Sequence, residues 1–442
     1  NPVLPYNLAN ALSRRAQLDQ PYGLEWYLRT AAIRSRARAL NWMAANQLED
    51  EDPILASQVV TNLGNDLEAA HRWLEAFECY QEALRLYPRN GVASGNAARA
   101  LFRVAQNDTF EHQTHLFHIA HQLAQHCKEN LDVVALFAGP QAVSTYQELP
   151  SESWQESEST REEPPVSSEY EVFVAEHRLF LAPILEGPAH DRRRWDDAYI
   201  RSIIEPVDSG PEPPPVIAMF NVMKADYLVA RGLLYQSLAN DSFVRETGLY
   251  MDTLDYATYG QDASRLILAQ RAALDILDKI AVALNEHFQL GFKKREVSFT
   301  KIWRKQQGTP DWHPGLRLLL DRHNPALLAL SEVASDLASQ ATHDEPPLLN
   351  AEREARHTGT HRFSVLHDLG IGQHRSSTTI DHFELHTFQK TSLRTLKLAR
   401  AALLYFVEAI YYDTAKRSQE GGLKGHTRIY PHHYIRGEDA DD

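Results

Sequence analysis

The stretch LRTLKLARAALLYFVEAIYY (Leu393–Tyr412) has the clearest helical pattern in the chain. Its apolar residues recur every three or four positions, which is the spacing that places side chains on one face of an α-helix. That face comprises Leu396, Ala399, Leu403, Phe406 and Ile410. The pattern predicts a long amphipathic helix from about Thr391 to Ala415.

Three stretches between Val216 and this helix show the same periodicity. Their apolar faces comprise Phe220, Met223, Tyr227, Ala230 and Leu234; then Leu266, Ala269, Ala273, Leu277, Ile280 and Leu284; and, after Asn324, Leu327, Leu330, Ala334 and Leu337. Pro325 suits the first turn of the third stretch, because the N–H that proline lacks has no helical partner there. Four such helices predict a helical bundle over residues 216–419.

The N-terminal third contains a repeat signature in QVVTNLGNDLEAAHRWLEAFECYQEALRLYP (Gln58–Pro88). It matches the tetratricopeptide (TPR) pattern at Leu63, Gly64, Leu67, Ala76, Tyr80, Ala83 and Pro88. Weaker echoes occur in Asn7–Leu12 and Asn96–Leu101. Because a lone repeat cannot bury its apolar face, we expect degenerate TPR-like repeats over residues 1–147. Such repeats either bind a protein partner or regulator, or form a generic domain of helical hairpins.

The remaining segments read as connections. Residues 148–170 are rich in Ser, Glu and Pro, which predicts an acidic linker. Residues 171–215 include the short apolar run His177–Leu185, and we expect this connector to pack on the C-terminal domain. Residues 420–442 read as a flexible tail with an acidic end. The chain is therefore predicted to be all-α, with repeats followed by a bundle.

Composition limits the classes of function. The net charge of −14 over 442 residues argues against a general nucleic-acid binder, so any contact with RNA needs a local basic patch. No run of 18 apolar residues occurs, so no membrane span is predicted. The first residues lack the pattern of a signal peptide. Cys79 and Cys127 cannot make a disulfide framework, which favours a cytoplasmic location.

The stretch NAEREARHTGTHRFSVLHD (Asn350–Asp368) joins Arg356 to His361 through four residues. RNA carries its own nucleophile, the 2′-OH, and a histidine with a pKa near 6.5 can take that proton or protonate the leaving 5′-oxygen. An arginine can stabilise the charge that builds up on the phosphate. Arg353, His357 and Arg362 are candidate auxiliary or RNA-binding residues. The motif therefore suits RNA cleavage without a metal.

The spacing of the motif has a geometric consequence. Residues five apart on an α-helix lie roughly 140° apart around its axis. Gly359 also weakens a helix at this point. We therefore expect the motif to straddle a helix end, and a composite site built by two chains would bring the two side chains together.

The C-terminal half resembles the HEPN superfamily, and in particular the branch in which this domain follows TPR repeats. The resemblance rests on Arg356 and His361 together with Phe220–Tyr235, Asp252–Gly260, Leu274–Phe288, Val297–Trp303, Asn324–Leu337 and Leu393–Tyr412. It implies a homodimer through the HEPN bundle, no cofactor and, as in many members, a metal-independent endoribonuclease in microbial defence or stress. Two positions depart from the family. His357 stands where many members have Asn, and Phe363 stands where a toxin branch has a Tyr that is modified.

Other interpretations stay open. The domain could be catalytically inactive and serve dimerisation, nucleotide binding or protein binding, or the repeats could be an adaptor for another enzyme. Arg356 could form a surface ion pair with Glu352 or Glu354. The pairs His357/His361 and His382/His386 have zinc-compatible spacing, but no third ligand is evident, so no metal is predicted.

A basic run with interleaved aromatic residues precedes the third helix of the bundle. It comprises Lys293, Lys294, Arg295, Lys301, Arg304 and Lys305, with Phe299 and Trp303 between them. Such a run could hold RNA by phosphate contact and base stacking. We expect the two aromatic residues to be buried instead. We interpret Asp278 and Asp336 as buried supports or helix caps, with no catalytic assignment.

Overall fold

The computed structural model describes residues 2–18, 24–106, 113–151, 168–182, 196–206, 212–239, 247–293, 295–305, 311–338, 347–371, 377–420 and 424–428. Within these ranges the chain is predominantly α-helical, as predicted, with helices packed around one large apolar core and a small second cluster of Ala9, Ala37 and Leu40. The chain also forms short β-strands, which the periodicity of its sequence did not predict. The predicted linker falls largely on residues 152–167, which lie outside the described ranges.

The N-terminal helices pack in consecutive pairs, as TPR-like repeats do. Their bounds are α1 (Val3–Leu18), α2 (Leu24–Leu48), α3 (Pro53–Glu68), α4 (Trp73–Leu86), α5 (Gly91–Gln106), α6 (Gln113–Glu129), α7 (Leu131–Ala138) and α8 (Val143–Gln147). A Cβ at Gly64 would lie 2.6 Å from the ring of Tyr80, so only glycine lets that ring pack on α3. The Tyr80 hydroxyl then donates to Glu68 at 2.8 Å.

The C-terminal helices form the predicted bundle. Their bounds are α9 (Glu169–Glu176), α10 (Pro215–Leu238), α11 (Gln261–His287), α12 (Pro314–Asp321), α13 (Pro325–Ala338), α14 (Asn350–His361) and α15 (Leu385–Gln419). Every residue of the four predicted apolar faces is buried. Helix α15 extends beyond the predicted Thr391–Ala415 at both ends and packs on α10, α11, α13 and α14.

The segment after α9 lies on the bundle through its backbone carbonyls. Leu179–Ala182 is buried. The carbonyl of Leu179 accepts hydrogen bonds from Tyr227 at 2.6 Å and from Arg231 at 3.0 Å. Arg400 of α15 donates to the carbonyls of Phe180 and Ala182 at 2.7 and 2.6 Å. Residues 183–185 of the predicted connector lie outside the described ranges.

Two small sheets are added to the helices. Strands β1 (Ser202–Pro206) and β5 (Lys424–Arg428) pair antiparallel. Strand β3 (Phe363–His367) pairs antiparallel with β2 (Ala257–Thr258) and parallel with β4 (Ile380–Glu384). Strand β5 differs from the predicted flexible tail, because its backbone finds a partner in β1. Residues 421–423 and 429–442 of that tail lie outside the described ranges.

A buried network of charges joins the repeats to the bundle. Arg34 and Arg38 of α2 donate to Glu332 of α13 at 3.1 and 2.7 Å. Asp336, one turn further along α13, accepts from Arg38 at 2.8 Å and from Arg72, which precedes α4. All five side chains are almost fully buried, so water contributes little to their solvation. Asp336 is thus a buried polar support, as its place beside an apolar stripe predicted.

A second contact between the repeats and the bundle predicts that the free energy of unfolding depends on pH. Burial raises the pKa of Glu408 in α15 to about 8, although the indole N–H of Trp73 bonds it at 3.0 Å. The unfolded chain releases this proton near its ordinary pKa of 4.5. Between these two pKa values the folded chain holds one more proton than the unfolded chain. The free energy of unfolding therefore falls as the pH rises, by up to about 1.4 kcal/mol per pH unit.

We expect Glu408→Gln to remove this slope from about pH 5 to about pH 8, because glutamine does not titrate. Urea unfolding of both proteins at several pH values in that window measures it. Glu82→Gln, at a surface side chain that is 40% exposed, serves as the control and should leave the slope unchanged. If the free energies of unfolding of wild type and Glu408→Gln changed equally with pH, the raised pKa of Glu408 would be contradicted.

Candidate functional site

The predicted motif lies at the C-terminal end of α14. Arg356, His357 and His361 all fall within this helix, and His361 is its last residue. The motif therefore ends with the helix instead of straddling its end. A helical Gly359 costs only about 1 kcal/mol, and the buried residues Glu352 and Ala355 fix the first half of the helix on the bundle. The side chains of residues 356–361 lie outside the described part of the chain.

Helix α14 is fastened by one buried ion pair. Glu352 is fully buried and receives two hydrogen bonds from Arg394 of α15. The Arg394 guanidinium lies 4.6 Å from the ring of Trp42 in α2, so the same arginine also contacts the repeats. Glu354 accepts a bond of 2.8 Å from Asn350. Glu352 and Glu354, the two carboxylates proposed as surface partners of Arg356, are thus already hydrogen-bonded to other residues.

Two of the auxiliary residues have described side chains. Arg353 donates to Asn350 one turn earlier in α14 at 3.3 Å. Arg362 follows the helix directly and pairs with Asp381 of β4 at 3.2 Å, while about half of its side chain stays exposed. Phe363, the next residue, is 72% exposed. The helix end therefore presents a cation and an aromatic ring at the surface.

The three-stranded sheet that follows the motif holds a group of titratable side chains. The Nε2 atom of His367 lies 2.8 Å from Nδ1 of His382, and its Nδ1 lies 2.8 Å from the carbonyl oxygen of Asp255. The donor atoms of Asp255, His367 and His382 all lie within 4.8 Å of one another. His386, which the sequence pairs with His382, is instead an exposed residue of α15. Asp255 and His367 are distant in sequence, so spacing gave no signal for this cluster.

Exposed apolar side chains flank the same sheet. They belong to the segment before β2, to the start of β3 and to the turn after it: Leu249, Met251, Leu254, Phe363, Leu369 and Ile371. In the first of these segments Tyr250 stacks on Tyr259 with 6.3 Å between ring centroids. Monomeric proteins rarely leave large apolar patches exposed, and such patches often mark interaction surfaces. Among these residues, Phe363 lies two positions beyond the end of the motif helix.

The aromatic residues of the basic run are buried, as predicted. Phe299 has no exposed surface and Trp303 only 3%. The Trp303 indole donates to the carbonyl of Phe299 at 2.7 Å, and the N–H of Phe299 donates to Asp278 at 2.8 Å. Neither ring can therefore stack on a base, and Asp278 supports the backbone. Lys294 lies outside the described residues.

The comparisons with known proteins bear on the bundle. Residues 207–413 match the model of the family described as LA2681-like HEPN. The matched range contains α10 to α14, most of α15 and the Arg356–His361 motif. No curated protein and no solved structure matches the chain significantly. None of the helices in the described ranges combines the length and apolar character that a membrane span requires. The helical bundle and the family match agree with the resemblance read from the sequence, and residues 207–413 of the chain form a HEPN domain.

Proposed function

We propose that this protein is a metal-independent endoribonuclease of HEPN type, in which Arg356 and His361 cleave RNA. It works as a homodimer in the cytoplasm, and its TPR-like repeats regulate it as a defence or stress effector. The observation that carries the proposal is the HEPN match over residues 207–413, because that range includes an Arg-x4-His motif at the end of a helix. Arg362, exposed and one residue beyond the motif, adds positive charge for a phosphate.

The chemistry needs only these two side chains and the RNA. The His361 imidazole accepts the proton of a 2′-OH, and the 2′-oxygen attacks the adjacent phosphorus. The bond from phosphorus to the 5′-oxygen breaks, and that oxygen leaves with the proton that the His361 imidazolium returns. The Arg356 guanidinium stabilises the extra negative charge on the phosphate oxygens. The products are a 2′,3′-cyclic phosphate and a 5′-OH.

The helical backbone of α14 supports a site shared between two chains. Residues five apart on a helix are separated by roughly 140° around its axis, which argues against a single helix presenting both to one phosphate. In a dimer, the arginine of one chain can face the histidine of the other. The exposed apolar side chains that flank the three-stranded sheet, among them Leu254, Phe363 and Leu369, are suited to such a contact between chains.

A cleavage assay with defined nucleic acids tests the proposal. Full-length protein is incubated in EDTA with a pool of single-stranded RNA oligonucleotides that covers every dinucleotide step, and with DNA of the same sequences. Mass spectrometry identifies the ends. We expect cleavage of RNA alone, with 2′,3′-cyclic phosphate ends. Intact RNA would contradict the proposal and favour a catalytically inactive HEPN/TPR scaffold for dimerisation or protein binding.

A further inference from the structure

The cluster of Asp255, His367 and His382 brings three metal-ligand types together from separate segments. His367 lies on β3, His382 on β4 and Asp255 two residues before β2. Because His382 pairs with Val365, two residues before His367 on β3, the two histidines point to the same face of the sheet. Their ligand atoms lie within 4.8 Å of one another. The register of β3 and β4 sets the positions of both histidines, and the segment before β2 brings Asp255 to them.

The groups around the cluster orient its ligand atoms. In the neutral imidazole of His367, the bond of Nδ1 to the carbonyl of Asp255 requires the proton on Nδ1. The lone pair on Nε2 then points at His382. Metal-binding histidines typically donate their other N–H to a carbonyl in this way. The Thr253 hydroxyl donates to the Asp255 carboxylate at 2.5 Å and so fixes the orientation of this oxygen ligand.

The backbone on both sides of Asp255 is strained. Leu254 and Tyr256 have φ angles of 59° and 60°, a left-handed conformation that is unfavourable for large side chains. A residue with this conformation persists only where the surrounding structure enforces it. A bond from Asp255 to a metal held by β3 and β4 would supply such enforcement.

We propose that Asp255, His367 and His382 bind one Zn²⁺ ion that fastens the segment before β2 to β3 and β4. Two imidazoles and one carboxylate suit a divalent transition metal, whereas Mg²⁺ prefers oxygen ligands alone. Ligands on a tetrahedral Zn²⁺ lie roughly 3.4 Å apart, given bond lengths of about 2.0–2.1 Å. The contact between His367 and His382 must therefore widen by roughly 0.6 Å from 2.8 Å, while the wider separations shorten.

Three protein ligands leave one position for water. His382 is only partly buried, whereas Asp255 and His367 are buried, so water reaches the site from the side of His382. The site lies six residues beyond His361 along the chain. It takes no part in the proposed cleavage of RNA, and its existence does not rest on that activity.

Zinc titration of the full-length chain tests this inference. The protein is treated with EDTA, exchanged into chelator-free buffer and titrated with ZnCl₂ by calorimetry and against a chromogenic zinc indicator. We expect one tight site per chain and a rise in Tm of several degrees with Zn²⁺ but not with Mg²⁺. Asp255→Asn and His382→Gln each preserve side-chain size, and each should weaken zinc binding at least tenfold.

His386→Gln is the matched control, because His386 is exposed and lies only four residues from His382. It should bind zinc like wild type. Circular dichroism shows which variants remain folded. If one ligand variant unfolds, the other still tests the site. A wild-type chain that binds no stoichiometric zinc would overturn the inference. So would folded ligand variants with unchanged affinity, or an equal loss in His386→Gln.

Discussion

Replacing His361 with alanine is expected to lower the rate of RNA cleavage by about 10²–10⁴-fold, because the proposed general base and acid is removed. Arg356→Ala is expected to lower it by about 10²–10³-fold, since the phosphate loses its charge partner in the transition state. Single-turnover cleavage of labelled RNA in EDTA measures both. The controls remove an exposed residue of the same type elsewhere, Arg15→Ala and His386→Ala.

Mixing the two inactive variants tests whether the site is shared. In a mixed dimer, one composite site combines the intact Arg356 of one chain with the intact His361 of the other. Part of the wild-type rate should therefore return on mixing and subunit exchange. Activity that stays absent, in mixtures where mixed dimers are demonstrated, would place both side chains in one chain and contradict the composite site.

Asp336→Ala is expected to lower the free energy of unfolding by about 3–5 kcal/mol, because the buried Arg38 and Arg72 lose the carboxylate that they share. Asp336 is fully buried and bonds Ser35 at 2.6 Å as well as Arg38 and Arg72. Equilibrium unfolding in urea, followed by circular dichroism, measures the loss. The exposed pair Arg89–Asp132 provides the control, since Asp132→Ala should cost at most about 1 kcal/mol.

The same substitution has a predicted pH signature. Burial alone would raise the pKa of Asp336, but the guanidinium groups of Arg38 and Arg72 outweigh it, and its pKa lies below the ordinary value. The stabilising contribution is therefore complete above pH of about 4 and is lost as pH falls through the lowered pKa. The difference between wild type and Asp336→Ala should shrink only below about pH 4. A difference that is small at neutral pH would contradict the network.

The helices could be predicted from the sequence because their burial follows a period of 3.6 residues. All the apolar positions chosen in α10, α11, α13 and α15 are buried. Gly64 and Tyr80 similarly matched a repeat pattern, and the structure explains that match by direct contact. Local patterning thus sufficed wherever one helix face packs on its neighbours.

The features that depend on distant partners could not be predicted. Strands β2 to β4 are two to five residues long, so their alternation is too short to recognise, and only pairing defines them. Arg38 and Asp336 are separated by almost 300 residues, and neither shows its partner in the sequence. The same holds for His367 and Asp255. The prediction that the motif straddles a helix end was wrong for another reason. The packing of α14 outweighs the helix-weakening effect of Gly359.

A single change in the substrate tests the central claim most directly. Once the protein's cleavage position in an RNA oligonucleotide is mapped, the same oligonucleotide is made with one 2′-deoxyribose on the 5′ side of that bond. The nucleophile of the proposed reaction is then missing, while the sequence and charge of the substrate are unchanged. We predict that this bond stays intact in EDTA while other sites are still cut. Cleavage at the deoxy position at an undiminished rate would contradict attack by the 2′-OH.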